Sequence, residues 1–258
     1  MRHSGRYTLL FAAAVCVVFA VMVSSAAVLL EDEQAANKAL DRRRQVVEAA
    51  GLIEPGATPA PEEVERLLAN AEPVLVDLET GREVEGDPET YDQQRAKRDP
   101  ARSFAAPENR SRILRMPAQA VVYKFYDQAG ELDTIVLPIE GYGLWGTLYG
   151  YLGLEADTRT VRGITFYDHK ETPGLGGEVD NPRWKDLWAG RAVYDESWNP
   201  VIEVIKGAAG PPGQDPYEVD GLSGATLTSR GVSNMLRFWL GPEAFGPYLE
   251  GLREGRST

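Results

Sequence analysis

The chain has 258 residues and a formal net charge of −12; it is long enough for one large or two small domains, and its acidity repels phosphate backbones, which argues against a nucleic-acid partner. Apolar residues make up 43% and charged residues 26%, a globular rather than a disordered composition. One cysteine, Cys16, and two histidines, His3 and His169, exclude an intrachain disulfide, a Cys-ligated iron–sulfur cluster and a local Cys/His metal motif. No metal is expected, so any redox chemistry requires an organic cofactor.

Residues 1–8 include Arg2, His3 and Arg6, whereas residues 9–30 carry no charge. That run is as long as the roughly 20 helical residues that span a bilayer core. Glu31, Asp32 and Glu33 follow it. Because Lys and Arg concentrate on the cytoplasmic side, the pattern predicts a single transmembrane helix over 9–30, with 1–8 inside and the rest outside. Ser24-Ser25-Ala26-Ala27 offers small residues for a competing reading as a cleaved signal peptide, but signal h-regions run only about 7–15 residues. Residues 31–50 are rich in helix formers and 51–61 in Gly, Pro and Ala. A helical stalk and linker are therefore expected over 31–60.

The outer domain is expected over 61–258. Pro61-Glu62-Glu63 opens a short helix reaching Asn70. Residues 74–84 alternate around Glu79-Thr80-Gly81, a hairpin signature. Residues 86–112 are polar with little apolar periodicity and are predicted to form a long surface excursion. Two further hairpins follow, 120–127 with 132–139 and 145–154 with 161–168. Then come a short helix over 182–189, a strand over 201–205, a helix from Gly224 to Gly241-Pro242 and a last helix towards Arg253. Strands arriving as hairpins, with helices grouped elsewhere, predict an α+β fold built on an antiparallel sheet.

Three glycine-marked stretches carry the candidate chemistry. The last reads Asp220-Gly221-Leu222-Ser223-Gly224-Ala225-Thr226-Leu227-Thr228-Ser229. At a helix start such hydroxyls commonly cap free N–H groups; the same N–H groups and the helix dipole also make a phosphate seat, where a threonine hydroxyl can be esterified. The second stretch, Tyr142-Gly143-Leu144-Trp145-Gly146-Thr147-Leu148-Tyr149-Gly150, combines glycines that allow close backbone approach to a flat ring with stacking area from Tyr142 and Trp145 and a hydroxyl from Thr147. An ordinary buried strand is its plainer reading. The third, His169-Lys170-Glu171-Thr172-Pro173-Gly174-Leu175-Gly176, is either a Pro-Gly turn or a loop whose polar groups and Leu175 cover a ligand. Lys206 closes an apolar strand beside Gly207 and is either a solvated strand end or an anion partner. His169 could serve as an acid or base, but a lone loop histidine is more often structural.

Asp220-Gly221-Leu222-Ser223-Gly224-Ala225-Thr226 resembles the flavinylation motif of the FMN-binding domain family. In that family a flavin transferase moves FMN from FAD onto the threonine at the position of Thr226, leaving a phosphoester and a chemically free ring; Thr228 is the competing acceptor. The segment around Leu144-Trp145-Gly146 is similar to the C subunits of sodium-translocating NADH:quinone oxidoreductases and less so to the G subunits of Rnf-type complexes, which share the loop around Thr172-Pro173-Gly174. The resemblance implies covalent FMN on Thr226, a site lying mainly within 140–240, and cofactor contacts at Ser223, Gly224, Ala225, Asp220, Tyr142, Leu144, Trp145, Thr147, Glu171, Thr172, Gly174, Leu175, Lys206 and Thr228. It also implies other membrane subunits as partners, a flavin transferase during maturation, and a place in the bacterial inner membrane with the main domain periplasmic. The implied task is relaying electrons from NADH towards ubiquinone, coupled to sodium export. Gly141, Gly143 and Gly146 have the Gly-x-Gly-x-x-Gly spacing but lead from one expected strand into the next and open no helix, as a dinucleotide fingerprint must, so no complete active site and no catalytic residue are expected in this chain alone. The alternatives are a G subunit of an Rnf-type complex and a membrane-anchored ligand-binding or sensor module.

Overall fold

A computed structural model describes residues 5–256, and the chain divides into two compact units, Met1–Arg42 and Arg43–Thr258. The first contains helix α1 (Gly5–Leu29), which is long and apolar enough to cross a membrane and buries none of its residues. It covers residues 9–29 of the uncharged run and begins four residues before it, taking in Arg6. Arg2 and His3, on which the expected orientation of that run partly rests, lie outside the described residues. Helix α2 (Glu31–Ala49) starts with Glu31, Asp32 and Glu33, acids that complement the positive end of the helix dipole.

The second unit opens within α2 and continues through α3 (Pro61–Leu68), β1 (Ala71–Asp77), β2 (Arg82–Val84), α4 (Gln93–Arg98), β3 (Ser103–Ala105), β4 (Arg115–Pro117), β5 (Gln119–Tyr126), β6 (Leu132–Tyr142), β7 (Thr147–Glu155) and β8 (Val161–Asp168). A 3-10 turn (Gly176–Asp180) leads into α5 (Pro182–Asp186), β9 (Glu203–Val204), β10 (Glu218–Val219), α6 (Thr226–Trp239) and α7 (Gly246–Arg253). The main sheet runs β2-β1-β5-β6-β7-β8, antiparallel throughout. This is the α+β arrangement the hairpin spacing predicts. Alternation along β6 sorts its side chains. Ile135, Leu137 and Ile139 join Leu152, Trp188, Val232 and Trp239 in the main core, while Val136 joins Phe125, Tyr151, Val46 and Ala49 on the opposite face.

Several segments differ from the sequence-based expectation. The compact unit begins at Arg43 rather than residue 61, and Gln45 to Ala49 are buried. Gly153 and Gly163 face each other across β7 and β8. A Cβ at Gly153 would overlap the Ala49 carbonyl, and one at Gly163 would stand 3.1 Å from it. Lys185 closes the junction through a buried ion pair with Glu48.

Residues 86–112 stay largely at the surface, with only Ala96 and Ser111 buried, but they hold a helix and a strand rather than an unstructured excursion. Asp92 caps α4 by accepting from Arg95 N–H at 2.9 Å, Ala96 is fully buried, and Lys97 pairs with the buried Glu140 of β6. β3 then pairs with β4. The anchors here are polar and distant in sequence, so no apolar period marks them. A second short strand, β10, has no counterpart among the expected elements; it pairs with β9 in parallel. The last helix begins at Gly246 rather than Pro242.

Candidate cofactor site

Helix α6 sits directly on the end of β6. A Cβ at Gly141 would come within 2.6 Å of the Met235 Cβ, and one at Gly231 within 2.5 Å of the Tyr142 carbonyl oxygen; only glycine permits this approach. Two serines one turn apart then stitch the motif loop to the helix. Ser229 Oγ accepts from Leu222 N–H at 3.1 Å and donates to the Ala225 carbonyl. Ser233 Oγ accepts from Val204 N–H of β9 at 2.9 Å. Gly224 takes φ +70°, the left-handed region that favours glycine.

Ala225 is the N-cap residue and its side chain supplies no capping bond. The first backbone bond of the helix runs from Ser229 N–H to the Ala225 carbonyl at 3.0 Å. The N–H groups of Thr226, Leu227 and Thr228 therefore have no intrahelical acceptor, and they lie at the positive end of the dipole. Thr226 is exposed. Thr228 is fully buried, and its hydroxyl donates to Glu171 Oε2 at 2.5 Å.

Because β9 and β10 are parallel, the segments that follow them lie side by side, with Gly221 N–H donating to the Gly207 carbonyl at 2.8 Å. Lys206 thereby reaches the motif. A groove of about 800 Å³ is lined by Lys206, Asp220, Ser223, Gly224 and Thr226. A second groove, about 620 Å³, is lined by Arg110, Arg112, Tyr142, Leu144, Leu227 and Arg230. Arg110, Arg230 and Asn234 border both.

Glu171 ties the three stretches together. Its buried carboxylate accepts from Leu144 N–H and Trp145 N–H, each at 2.9 Å, and from the Thr228 hydroxyl. A Cβ at Gly143 would stand 2.5 Å from Glu171 Oε1, and one at Gly176 would clash with Oε2, so glycine is required on both sides of the carboxylate. His169 buttresses the loop: its Nδ1 accepts from Glu171 N–H at 3.2 Å and its Nε2 meets Asp180 Oδ2 at 2.7 Å. The bond to Asp180 raises the imidazole above its usual pKa, with the carboxylates of Asp180, Glu171 and Asp168 adding to the effect and burial opposing it.

The expected site residues fall into three groups. Asp220, Ser223, Gly224, Thr226 and Lys206 share one groove, while Tyr142 and Leu144 line the other. Glu171, Thr228 and Asp220 direct their polar atoms to the protein itself, Asp220 Oδ1 accepting from Ala209 N–H at 2.9 Å. Ala225 is buried. Trp145, Thr147, Thr172, Gly174 and Leu175 line neither groove, although Trp145 and Leu175 are exposed and the Leu175 side chain comes within 2.9 Å of where a Gly224 Cβ would stand.

Sequence reasoning missed Arg110, Arg112, Arg230 and Asn234. The signal available was Asn109-Arg110-Ser111-Arg112, a basic pair within an acidic chain. Among the described residues, no cluster of three or more His, Cys, Asp or Glu is placed to hold a metal.

The residues present suit FMN. Unpaired N–H groups and Lys206 fit a phosphate, and exposed Leu144, Trp145, Leu175 and Leu227 offer apolar area to a flat ring.

Known proteins support the same cofactor. The FMN-binding domain profile matches residues 143–241. Over 99% of both chains this sequence is 46% identical to the C subunit of the Na(+)-translocating NADH-quinone reductase from Pseudomonas aeruginosa. It is 43% identical to the subunit of the same name from Yersinia pestis, over 96% of this chain and 93% of that one. The crystal structure of Shewanella oneidensis NqrC superposes with a TM-score of 0.78 at 32% identity, covering 85% of this chain and 99% of the other.

Proposed function

The chain belongs to the family of Na(+)-translocating NADH-quinone reductase C subunits, and we propose that it serves such a complex as an electron-transfer subunit, with FMN held as a phosphoester on Thr226. When bound, FMN supplies one-electron redox chemistry. The chain supplies position. Its N–H groups at the start of α6 and the Lys206 ammonium face the phosphate end, and its Leu144-Trp145 turn, fixed by Glu171, faces the ring.

One observation carries the choice of threonine. Thr226 is exposed at the groove, whereas the hydroxyl of Thr228 is buried and already bonded to Glu171. A transferase must reach the acceptor oxygen, and of the two threonines the exposed Thr226 suits that requirement. Attachment requires a flavin transferase that takes FMN from FAD.

In this reading α1 spans the bacterial inner membrane with its N-terminus in the cytoplasm, and the unit Arg43–Thr258 lies outside. Covalent attachment suits that compartment, because lost FMN could not be replaced there from the cytoplasmic pool. Other subunits bring electrons from NADH, pass them to ubiquinone and couple the flow to sodium export.

The test is a denaturing gel viewed under ultraviolet light, with intact-mass analysis, on protein made alongside an active flavin transferase. A fluorescent band carrying the mass of one phosphoryl-linked FMN is expected. Thr226→Ala goes dark and stays folded, since Thr226 is exposed and follows the N-cap residue rather than capping the helix itself. Thr228→Val keeps the band. A band that survives Thr226→Ala overturns the assignment.

A further inference from the structure

We infer that the arginine-lined groove beside the cofactor site is a docking surface for an acidic segment of another subunit. The inference rests on membership in the complex and not on the Thr226 linkage. Arg110 and Arg112 come from the loop between β3 and β4, Arg230 from the second turn of α6, and all three are exposed. No carboxylate lines the groove that all three share, although Arg110 and Arg230 also border the one that contains Glu203 and Asp220.

The chain has 39 acidic residues against 27 basic ones, yet among the described residues none of these three guanidinium groups is in an ion pair. Arg237, farther along the same helix, does pair, meeting Glu203 at 2.6 Å. On so acidic a surface, three neighbouring cations without a counter-charge point to one supplied from outside.

The groove is also built in advance. Arg112 holds φ +56°, a conformation uncommon for a residue with a Cβ and found where surroundings enforce it. Its guanidinium lies 5.2 Å from the centroid of the Tyr142 ring, within cation–π range. Tyr142 N–H donates to the Ser111 carbonyl at 3.0 Å, and the Asn109 side chain both accepts from Ile113 N–H and donates to its carbonyl. Cations on so braced a loop lose little freedom on binding.

Two residues beyond Arg112 stands Leu114 with 83% of its surface open. Arginine beside exposed apolar area is enriched at interfaces. A guanidinium accepts a carboxylate with two parallel hydrogen bonds, and a concavity suits an inserted side chain better than a bilayer surface.

The experiment purifies the whole detergent-solubilised complex through a tag on this chain and compares wild type with R110E/R112E/R230E and R110K/R112K/R230K. The charge-reversed chain should recover its partner subunits at least about tenfold less well, the scale expected when interfacial charges become repulsive. The lysine chain should recover most of them, and rising salt should strip partners from wild type. Covalent flavin, read on the same gel, reports separately whether the substitutions reach the neighbouring cofactor groove. Undiminished recovery of partners by the reversed chain overturns the proposal. So does loss of flavin together with the partners, which would assign the arginines to the cofactor. Flotation with phosphatidylglycerol vesicles that is lost on reversal while partner recovery persists would make the surface a lipid site and equally overturn it. If circular dichroism shows the triple variant unfolded, the single Arg112→Glu and Arg230→Glu chains decide by the same readouts. A dark Thr226→Ala band with partners retained leaves this inference standing.

Discussion

The Thr228 hydroxyl donates to Glu171 Oε2 at 2.5 Å, joining the start of α6 to a loop 57 residues earlier in the chain. Glu171 Oε1 holds the turn between β6 and β7 through two more bonds. One carboxylate thus fixes the separation between the two walls of the candidate site.

Glu171→Ala should leave two N–H groups and a buried hydroxyl without their acceptor, at about 1–3 kcal/mol for each group that water does not reach. A total loss near 3 kcal/mol is expected in urea unfolding of the detergent-solubilised chain. Glu171→Gln should lose about 1–2 kcal/mol, because its carbonyl still accepts and its amide can donate to Thr228. Flavin fluorescence and absorbance should shift in both variants with the covalent band retained. An unaltered flavin spectrum in Glu171→Ala would show that the carboxylate does not set the site.

The His169–Asp180 pair sets a pH dependence of known sign. The bond to Asp180 raises the folded-state pKa, so the pair's contribution is complete below the unfolded value, about 6.5, and fades as pH rises through the folded value. The neutral ring is favoured by the 3.2 Å contact from Glu171 N–H, but the 2.7 Å contact with the carboxylate is shorter and charge-assisted, and it prevails. Unfolding free energy of wild type should therefore fall from pH 6 towards pH 8 relative to His169→Gln. Parallel pH profiles would refute the pairing.

Lys185 and Glu48 form a buried ion pair. Lys185→Met should cost about 3–5 kcal/mol, since it strands a buried carboxylate, whereas Lys185→Met with Glu48→Leu should recover most of that loss. Thermal unfolding of the three chains checks it. A double variant no better than the single one would show that the pair stabilises through more than its own charges.

Gly231→Ala should strain the contact between α6 and β6, because the new methyl would stand 2.5 Å from the Tyr142 carbonyl oxygen and 3.1 Å from Gly143 Cα. Overpacking of this kind costs about 1–3 kcal/mol. The shift should also move the turn that follows Tyr142, read as a change in Trp145 fluorescence; an unchanged emission with full stability would refute the close approach.

What could be read from the sequence was local. The turns at Glu79-Thr80-Gly81 and Gln128-Ala129-Gly130 sit between alternating strands and appear where expected. The anchor helix and α6 likewise declare themselves by composition and period. Helix α4 did not, because Lys97 depends on Glu140, which lies 43 positions away. β10 is only two residues long and pairs in parallel with a strand a loop earlier. At the site, Thr226 was legible because a contiguous motif carries it. Glu171 was named as a cofactor contact, yet its partners lie 26, 27 and 57 positions away, and no local pattern encodes such a convergence. Arg112 is marked in the sequence only as one of a basic pair; its backbone angle and its stacking on Tyr142 appear only in the fold.

The facing glycines 153 and 163 leave a notch in β7 and β8 that the carboxyl end of α2 fills. Mechanically, that contact is a coupling. The contact lies two residues in from the ends of β7 and β8 that meet at their shared turn, and the opposite ends of the same strands carry Thr147 and Asp168. A displacement of residues 45–49 is therefore passed along two strands to the neighbourhood of the turn and the loop that Glu171 clamps.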